Sequence, residues 1–92
     1  LSMKRKHAKV HGQVQGVGFR YFTERTASSM GLTGWVRNEP DGTVAIEAQG
    51  DEDALTNFFE KVRKGPTFSD VTDLETDQID PENGESGFRI KY

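Results

Sequence analysis

The sequence has 92 residues and no cysteine, with 12 basic residues, 15 acidic residues and a formal net charge of −3. The length fits a single domain over residues 3–92, and Leu1-Ser2 ahead of Met3 look like residues added by cloning. The composition excludes disulfides, thiolate zinc sites and iron–sulfur clusters. The negative charge argues against a protein that mainly binds nucleic acid. Because no apolar run approaches ~20 residues and no secretory signal is evident, we expect a soluble, cytoplasmic protein. At this size a monomer is the default expectation.

Hydrophobic periodicity and turn signals divide the sequence into seven segments. Strands alternate apolar with polar residues, whereas helices repeat apolar residues every three or four positions. The predicted segments are a strand at 4–12, a helix from Phe19 to Met30, strands at 32–38 and 43–49, a helix between Asp51 and Gly65, and strands at 71–79 and 88–92. The order β-α-β-β-α-β, with a short extra C-terminal strand, predicts a ferredoxin-like α+β sandwich with an antiparallel sheet and two helices on one face.

Several of these segments have clear boundaries. Gly31 is well suited to end the first helix, and Asp51 is a plausible N-cap of the second. The turn at 39–42 contains Pro-Asp-Gly and predicts a β-hairpin between its flanking strands. Alternation within residues 43–49 predicts a half-buried strand, with one face in the core and the other exposed.

The charged stretches are expected to form solvated surface. Lys4-Arg5-Lys6 is interpreted as a soluble strand end, although it could attract an anionic substrate. The acidic residues of 70–85 are better explained by solvation than by metal binding. His7 and His11 are the two histidines, and they lie about 13 Å apart along one strand. That distance is too large for them to share a metal, so both are expected to be ordinary surface or edge residues.

A glycine-rich stretch from Gly12 to Arg20 joins the first strand to the first helix. Glycine adopts positive φ at little cost, so backbone N–H groups of the stretch can converge on one point. A helix N-terminus adds unpaired N–H groups and the positive end of its dipole. The loop is therefore suited to a phosphate or carboxylate, with Arg20 as a planar cationic donor. It matches neither the Walker nor the dinucleotide pattern, and a purely structural loop is the alternative.

Asn38 is the second candidate residue, at the end of the second strand and beside the hairpin turn. The predicted fold can bring this position near the loop that opens the first helix. An amide offers both a donor and an acceptor, so it could hold a water molecule in line with a bound phosphate. The alternative is that Asn38 is an ordinary residue beside a turn.

These residues resemble the motifs of the acylphosphatase family, and the resemblance runs from about Lys4 to Tyr92. The matching stretches are Gly12-x-Val14-Gln15-Gly16-Val17-x-Phe19-Arg20, Ala27, Gly31-Leu32-x-Gly34-Trp35-Val36-Arg37-Asn38, Asp41-Gly42-x-Val44 and Gly50. The resemblance implies a hydrolase that converts small acyl phosphates to a carboxylate and inorganic phosphate, without metal or cofactor. It also implies that Arg20 grips the phosphate, that Asn38 positions the attacking water, and that the backbone N–H groups of Gln15, Gly16, Val17, Gly18, Phe19 and Arg20 bind the phosphate.

The residue types in these motifs agree with direct attack by water. No cysteine is available, and neither serine nor histidine falls in the loop motif, so a covalent intermediate is not expected. Arg20 and the loop amides would stabilise charge on the transferring phosphoryl group. The alternative function is a non-catalytic ferredoxin-like module that binds phosphorylated ligands or RNA. The sequence lacks an aromatic-rich RNA-binding pattern, and simple anion binding would not need Asn38.

Overall fold

A computed structural model describes residues 3–92, so the prediction about Leu1-Ser2 lies outside the described residues. The elements are β1 (Lys4–Gln13), α1 (Phe19–Ser29), β2 (Thr33–Asn38), β3 (Val44–Gly50), α2 (Glu52–Lys64), β4 (Asp70–Ile79) and β5 (Phe88–Lys91). This order confirms the predicted ferredoxin-like plan and its short terminal strand. Neither α1 nor α2 has the length and apolar character needed to cross a membrane.

The five strands form one sheet in the order β4-β1-β3-β2-β5. The first four strands pair antiparallel, as predicted, and β5 joins the edge of the sheet in parallel with β2. Because β1 and β2 are both antiparallel to β3, they run in the same direction and end at the same edge. β5 ends there as well. The sheet therefore brings together the glycine loop after β1, the end of β2 and the end of β5.

The hydrophobic core lies between the sheet and the two helices. Its fully buried members include Ala8, Val10, Val44, Ile46, Ala27, Leu55 and Phe58. The strand residues in this set alternate along β1 and β3, and the helix residues follow the predicted apolar faces. Both predicted helix ends are also confirmed, since Gly31 has a φ of 72° and the Asp51 carboxylate accepts a 2.9 Å hydrogen bond from the Ala54 N–H.

The stretch Lys4-Arg5-Lys6 contains a buried arginine, which corrects the expectation of a solvated strand end. The Arg5 side chain is 0% exposed and forms ion pairs of 2.9 Å with Glu47, 2.7 Å with Glu82 and 2.8 Å with Glu85. The β4–β5 loop carries Glu82 and Glu85 over the sheet face that points away from the helices. Its acidic residues are therefore not all solvated surface. Arg5 tolerates burial because several carboxylates match its charge and hydrogen bonds.

β3 is buried on both faces at several positions, so the prediction of a half-buried strand is wrong there. Its helix-facing residues are buried as expected, but Ala45 is only 2% exposed and Gln49 only 7% exposed. The Gln49 side chain donates to the Glu82 carbonyl at 2.9 Å and accepts from the Glu82 N–H at 2.8 Å. The β4–β5 loop thus covers this face at Gln49, and local alternation does not encode the path of that loop.

The ion pairs of Arg5 with Glu47, Glu82 and Glu85, here called the Arg5 network, predict that the free energy of unfolding falls at acidic pH. Hydrogen bonds from Arg5 lower the pKa of Glu85, although burial opposes them. Because the folded pKa lies below the unfolded value, the Glu85 carboxylate stabilises the fold above its ordinary pKa of 4.5, and this contribution is lost as the pH falls. We expect Glu85→Gln to lose about 1.5–3 kcal/mol of unfolding free energy near pH 7. Between about pH 5 and pH 3, denaturant titrations should show a smaller further loss in this variant than in the wild type.

Glu60→Gln is a matched control for this prediction. Glu60 is exposed on α2 and forms no ion pair with another described residue. Its replacement should change the free energy of unfolding by less than about 0.5 kcal/mol. Equal losses in both variants, or an unaltered acid dependence in Glu85→Gln, would contradict the role assigned to the Arg5 network.

Candidate active site

The glycine loop and the ends of β2 and β5 line one cleft of ≈ 360 Å³ at the edge of the sheet. Its lining includes Gly16, Gly18, Phe19, Arg20, Tyr21, Asn38 and Tyr92. Arg20 is the one charged side chain among the described residues that line it. The fold therefore brings the two main candidates from the sequence, Arg20 and Asn38, into a single site.

The glycine loop presents an uncapped helix N-terminus to this cleft. Gly16 has a φ of 75° and Gly18 a φ of 77°, which lie in the left-handed region that favours glycine. Gly18 is also the N-cap of α1, and no side chain of the described residues caps the first turn of that helix. The first N–H groups of α1 and the positive end of its dipole are therefore available to an anion.

Arg20 lies in the first turn of α1 and has no carboxylate partner within 4.0 Å among residues 3–92. Its guanidinium carbon lies 4.9 Å from the centre of the Tyr92 ring, a cation–π contact that leaves its donors available. Two other arginines differ, since Arg5 is surrounded by carboxylates and Arg37 pairs with Glu39 at 3.1 Å. The positive charge of Arg20 can therefore serve a bound anion.

Asn38 is the last residue of β2, and its side chain carries a hydrogen-bond acceptor that has no partner among the described residues. Its Oδ1 atom is buried and has no hydrogen-bond partner within the described part of the chain. Leaving such an acceptor unpaired costs about 1–3 kcal/mol. Asn38 lines the same cleft as Arg20, so its amide group lies beside the space that a bound anion would occupy.

The side chain of Gln15 ties the glycine loop to the hairpin turn. Its Nε2 group donates to the carbonyl oxygens of Glu39 at 2.8 Å and Thr43 at 2.9 Å. The turn is held further by Asp41, which accepts from the Thr43 hydroxyl at 2.6 Å and the Thr43 N–H at 3.0 Å. These hydrogen bonds hold the pKa of the Asp41 carboxyl well below its ordinary value. Because Glu39 directly follows Asn38, Gln15 helps to set the distance between the loop and Asn38.

Of the residues predicted to bind the phosphate, some line the cleft and others do not. Gly16, Gly18, Phe19 and Arg20 line the cleft, whereas Gln15 and Val17 are not among its lining residues. The Phe19 side chain is 1% exposed and belongs to the hydrophobic core. Val17 also packs against that core. At Phe19 and Val17 the side chain thus anchors the loop, and only the backbone N–H is available for a phosphate.

Two tyrosines that the sequence analysis did not single out complete the wall of the cleft. Tyr21 is 67% exposed and Tyr92 is 94% exposed, and both line the cleft beside Arg20. The position of Tyr21 next to Arg20 was the available sequence signal. No local pattern places Tyr92, because its position depends on the parallel pairing of β5 with β2.

Comparisons with known proteins agree with the motifs and the fold. A family model described as Acylphosphatase matches residues 6–90. The chain is 50% identical over 90 residues to the acylphosphatase of Thermotoga petrophila, with 98% of this chain and 99% of the relative covered. It is 48% identical over 90 residues to the acylphosphatase of Oceanobacillus iheyensis, with 95% and 99% covered. The crystal structure of acylphosphatase from Bacillus subtilis has a TM-score of 0.93 at 43% identity and covers 99% of this chain and 100% of that chain. Since the family match spans nearly the whole sequence, the chain belongs to the acylphosphatase family.

Proposed function

We propose that this protein, as one domain over residues 3–92, hydrolyses acyl phosphates to a carboxylate and inorganic phosphate by direct attack of water. Its family supports hydrolysis of the carboxyl–phosphate bond as the reaction class. The observation that carries the mechanism is one cleft that holds Arg20, with no carboxylate partner, and a buried Asn38 oxygen, with no hydrogen-bond partner, among the described residues. Binding of an anion would require Arg20 but would not require the side-chain amide of Asn38.

The glycine loop and Arg20 hold the phosphoryl group in this proposal. The backbone N–H groups of residues 15–20 and the positive end of the α1 dipole surround its oxygens. The Arg20 guanidinium adds a bidentate, charge-assisted contact. The core packing of Phe19 and the hydrogen bonds of Gln15 fix these donors before the substrate arrives. Charge that develops on the phosphoryl oxygens is then stabilised with little reorganisation.

Asn38 positions the nucleophile. A water molecule donates a hydrogen bond to the Asn38 Oδ1 atom and directs its oxygen at the phosphorus, in line with the acyl oxygen. The new bond joins the water oxygen to phosphorus, and the bond between phosphorus and the acyl oxygen breaks. The carboxylate leaves without a general acid because it is a weak base. A substrate phosphate oxygen accepts the proton of the water, since no Asp, Glu or His lines the cleft within residues 3–92.

Hydrolysis of benzoyl phosphate near neutral pH, with and without EDTA, tests this proposal. We expect turnover that EDTA leaves unchanged, because the cationic charge at the cleft comes from Arg20 and the helix N-terminus. Loss of activity in EDTA would refute the metal-free mechanism. A wild-type protein that binds phosphate without turnover would favour the alternative, a non-catalytic module for phosphorylated ligands.

The proposed partners of the protein are small acyl phosphates as substrates and inorganic phosphate as a product. The family assignment supports this substrate class. A monomeric state, a cytoplasmic location and the lack of a nucleic-acid partner stay predictions from length, composition and charge.

A further inference from the structure

A second group of functional side chains lies on the sheet, outside the cleft. The sequence predicts solvated surface for these residues, but ligand atoms of His11, Asp73 and Glu75 all lie within 4.8 Å of one another. His11 is paired with Asp73 across the β1–β4 ladder, and Lys9 is paired with Glu75. Since side chains alternate along strands, these residues share the sheet face that points away from the helices. None of the three lines the cleft.

The sheet holds this group in place, and charge pairing leaves its carboxylates available. β1 pairs with β4 at His11, where Asp73 is the partner, whereas its pairing with β3 ends at Val10 and the β1–β4 ladder shifts register between His11 and Gly12. Lys9 is the nearest cation along β1, but its Nζ atom contacts Asp41 at 3.1 Å. Within the described residues, neither Asp73 nor Glu75 has a lysine or arginine partner. The His11 Nε2 atom lies 2.5 Å from Glu75 Oε2.

We propose that His11, Asp73 and Glu75 bind one divalent transition-metal ion of the Zn²⁺ type. One imidazole nitrogen and two carboxylate oxygens form a donor set that suits Zn²⁺, whereas Mg²⁺ and Ca²⁺ prefer oxygen donors alone. The His11 side chain is 34% exposed and that of Glu75 is 60% exposed, so an ion can enter from solvent and water can complete its coordination. The ion takes the place of the hydrogen bond between His11 and Glu75.

This metal site is independent of the proposed hydrolysis. Its three ligands lie on the β1–β4 ladder, whereas Arg20 and Asn38 line the cleft at the edge of the sheet. Hydrolysis in the presence of EDTA therefore tests the proposed reaction at the cleft, and titration with Zn²⁺ tests the metal site on the β1–β4 ladder. A failure of one leaves the other intact.

The chain offers a matched pair of variants for the test. His7 is the other histidine, and it lies on the same strand opposite Asp77, but it belongs to no three-donor group among the described residues. Zn²⁺ would be titrated by calorimetry near pH 7.5 into tag-free, EDTA-stripped protein from which the chelator has been removed. We expect one ion per wild-type chain. His11→Gln should weaken binding by at least about tenfold, since even loss of an outer-shell partner has that effect, and His7→Gln should leave it unchanged.

Two further measurements sharpen the result. Glu75→Gln should also weaken Zn²⁺ binding, and NMR should show Zn²⁺-dependent shifts of the His11 ring signals but not of the His7 signals. The absence of binding by the wild type would overturn the proposal and leave His11–Glu75 as a simple ion pair. Full binding by His11→Gln, or an equal loss in His7→Gln, would overturn it as well.

Discussion

Replacing Arg20 with alanine should lower kcat/KM for benzoyl phosphate by at least about a thousandfold and should abolish measurable phosphate binding. Arg20 is the only charged side chain among the described residues that line the cleft, and no carboxylate within residues 3–92 forms an ion pair with it. Its loss removes the bidentate contact from both the bound and the reacting phosphoryl group. Steady-state kinetics and calorimetric titration with inorganic phosphate measure the two effects.

Two further variants test whether the effect depends on the guanidinium group and on its position. Arg20→Lys keeps the charge but loses the planar fork, so we expect an activity between that of the wild type and that of Arg20→Ala. Arg25→Ala removes a basic residue from the exposed side of the same helix, and it should leave kcat and phosphate affinity unchanged. If Arg20→Ala still bound phosphate normally, or if Arg25→Ala lost equal activity, the assignment of Arg20 to the phosphate would be wrong.

Replacing Asn38 with alanine should lower kcat by about 10²–10³ while phosphate binding stays close to that of the wild type. The buried Oδ1 atom has no partner in the described protein, and we assign it to the attacking water rather than to the phosphate. Removing it leaves Arg20 and the loop amides in place, so the ground-state contacts persist. Single-turnover kinetics beside phosphate calorimetry would show this separation of turnover from binding.

Thermal unfolding distinguishes this role from a structural one. Since Asn38 Oδ1 makes no hydrogen bond in the described structure, Asn38→Ala should keep a melting temperature close to that of the wild type or slightly above it. Asn57→Ala on the exposed face of α2 is a matched control. It should leave kcat unchanged and raise stability by no more than about 0.7 kcal/mol, the difference in helix propensity. A folded Asn38→Ala with normal kcat would refute the positioning of water by Asn38.

The two candidate residues, Arg20 and Asn38, could be found from sequence because their signals are local. Gly16, Gly18 and Arg20 mark a strand-to-helix junction, and Asn38 immediately precedes a Pro-Asp-Gly turn. Strand and helix periods depend on neighbouring residues, so the order of the elements was predictable as well. The helix end at Gly31 and the N-cap at Asp51 likewise follow from backbone preferences near one position.

The sequence by itself therefore determined the order of elements, the apolar face of each helix and the residue types of the candidate site. Only the tertiary structure decided that Gln15 holds the turn through residues 24 and 28 positions away, and that Arg5 is buried by Glu85, 80 positions away. The tertiary structure also decided the parallel pairing of β5 with β2, which brings Tyr92 over Arg20. Periodicity reports which face of an element is buried, but the paths of the loops and the choice of neighbouring strands decide which distant groups cover that face.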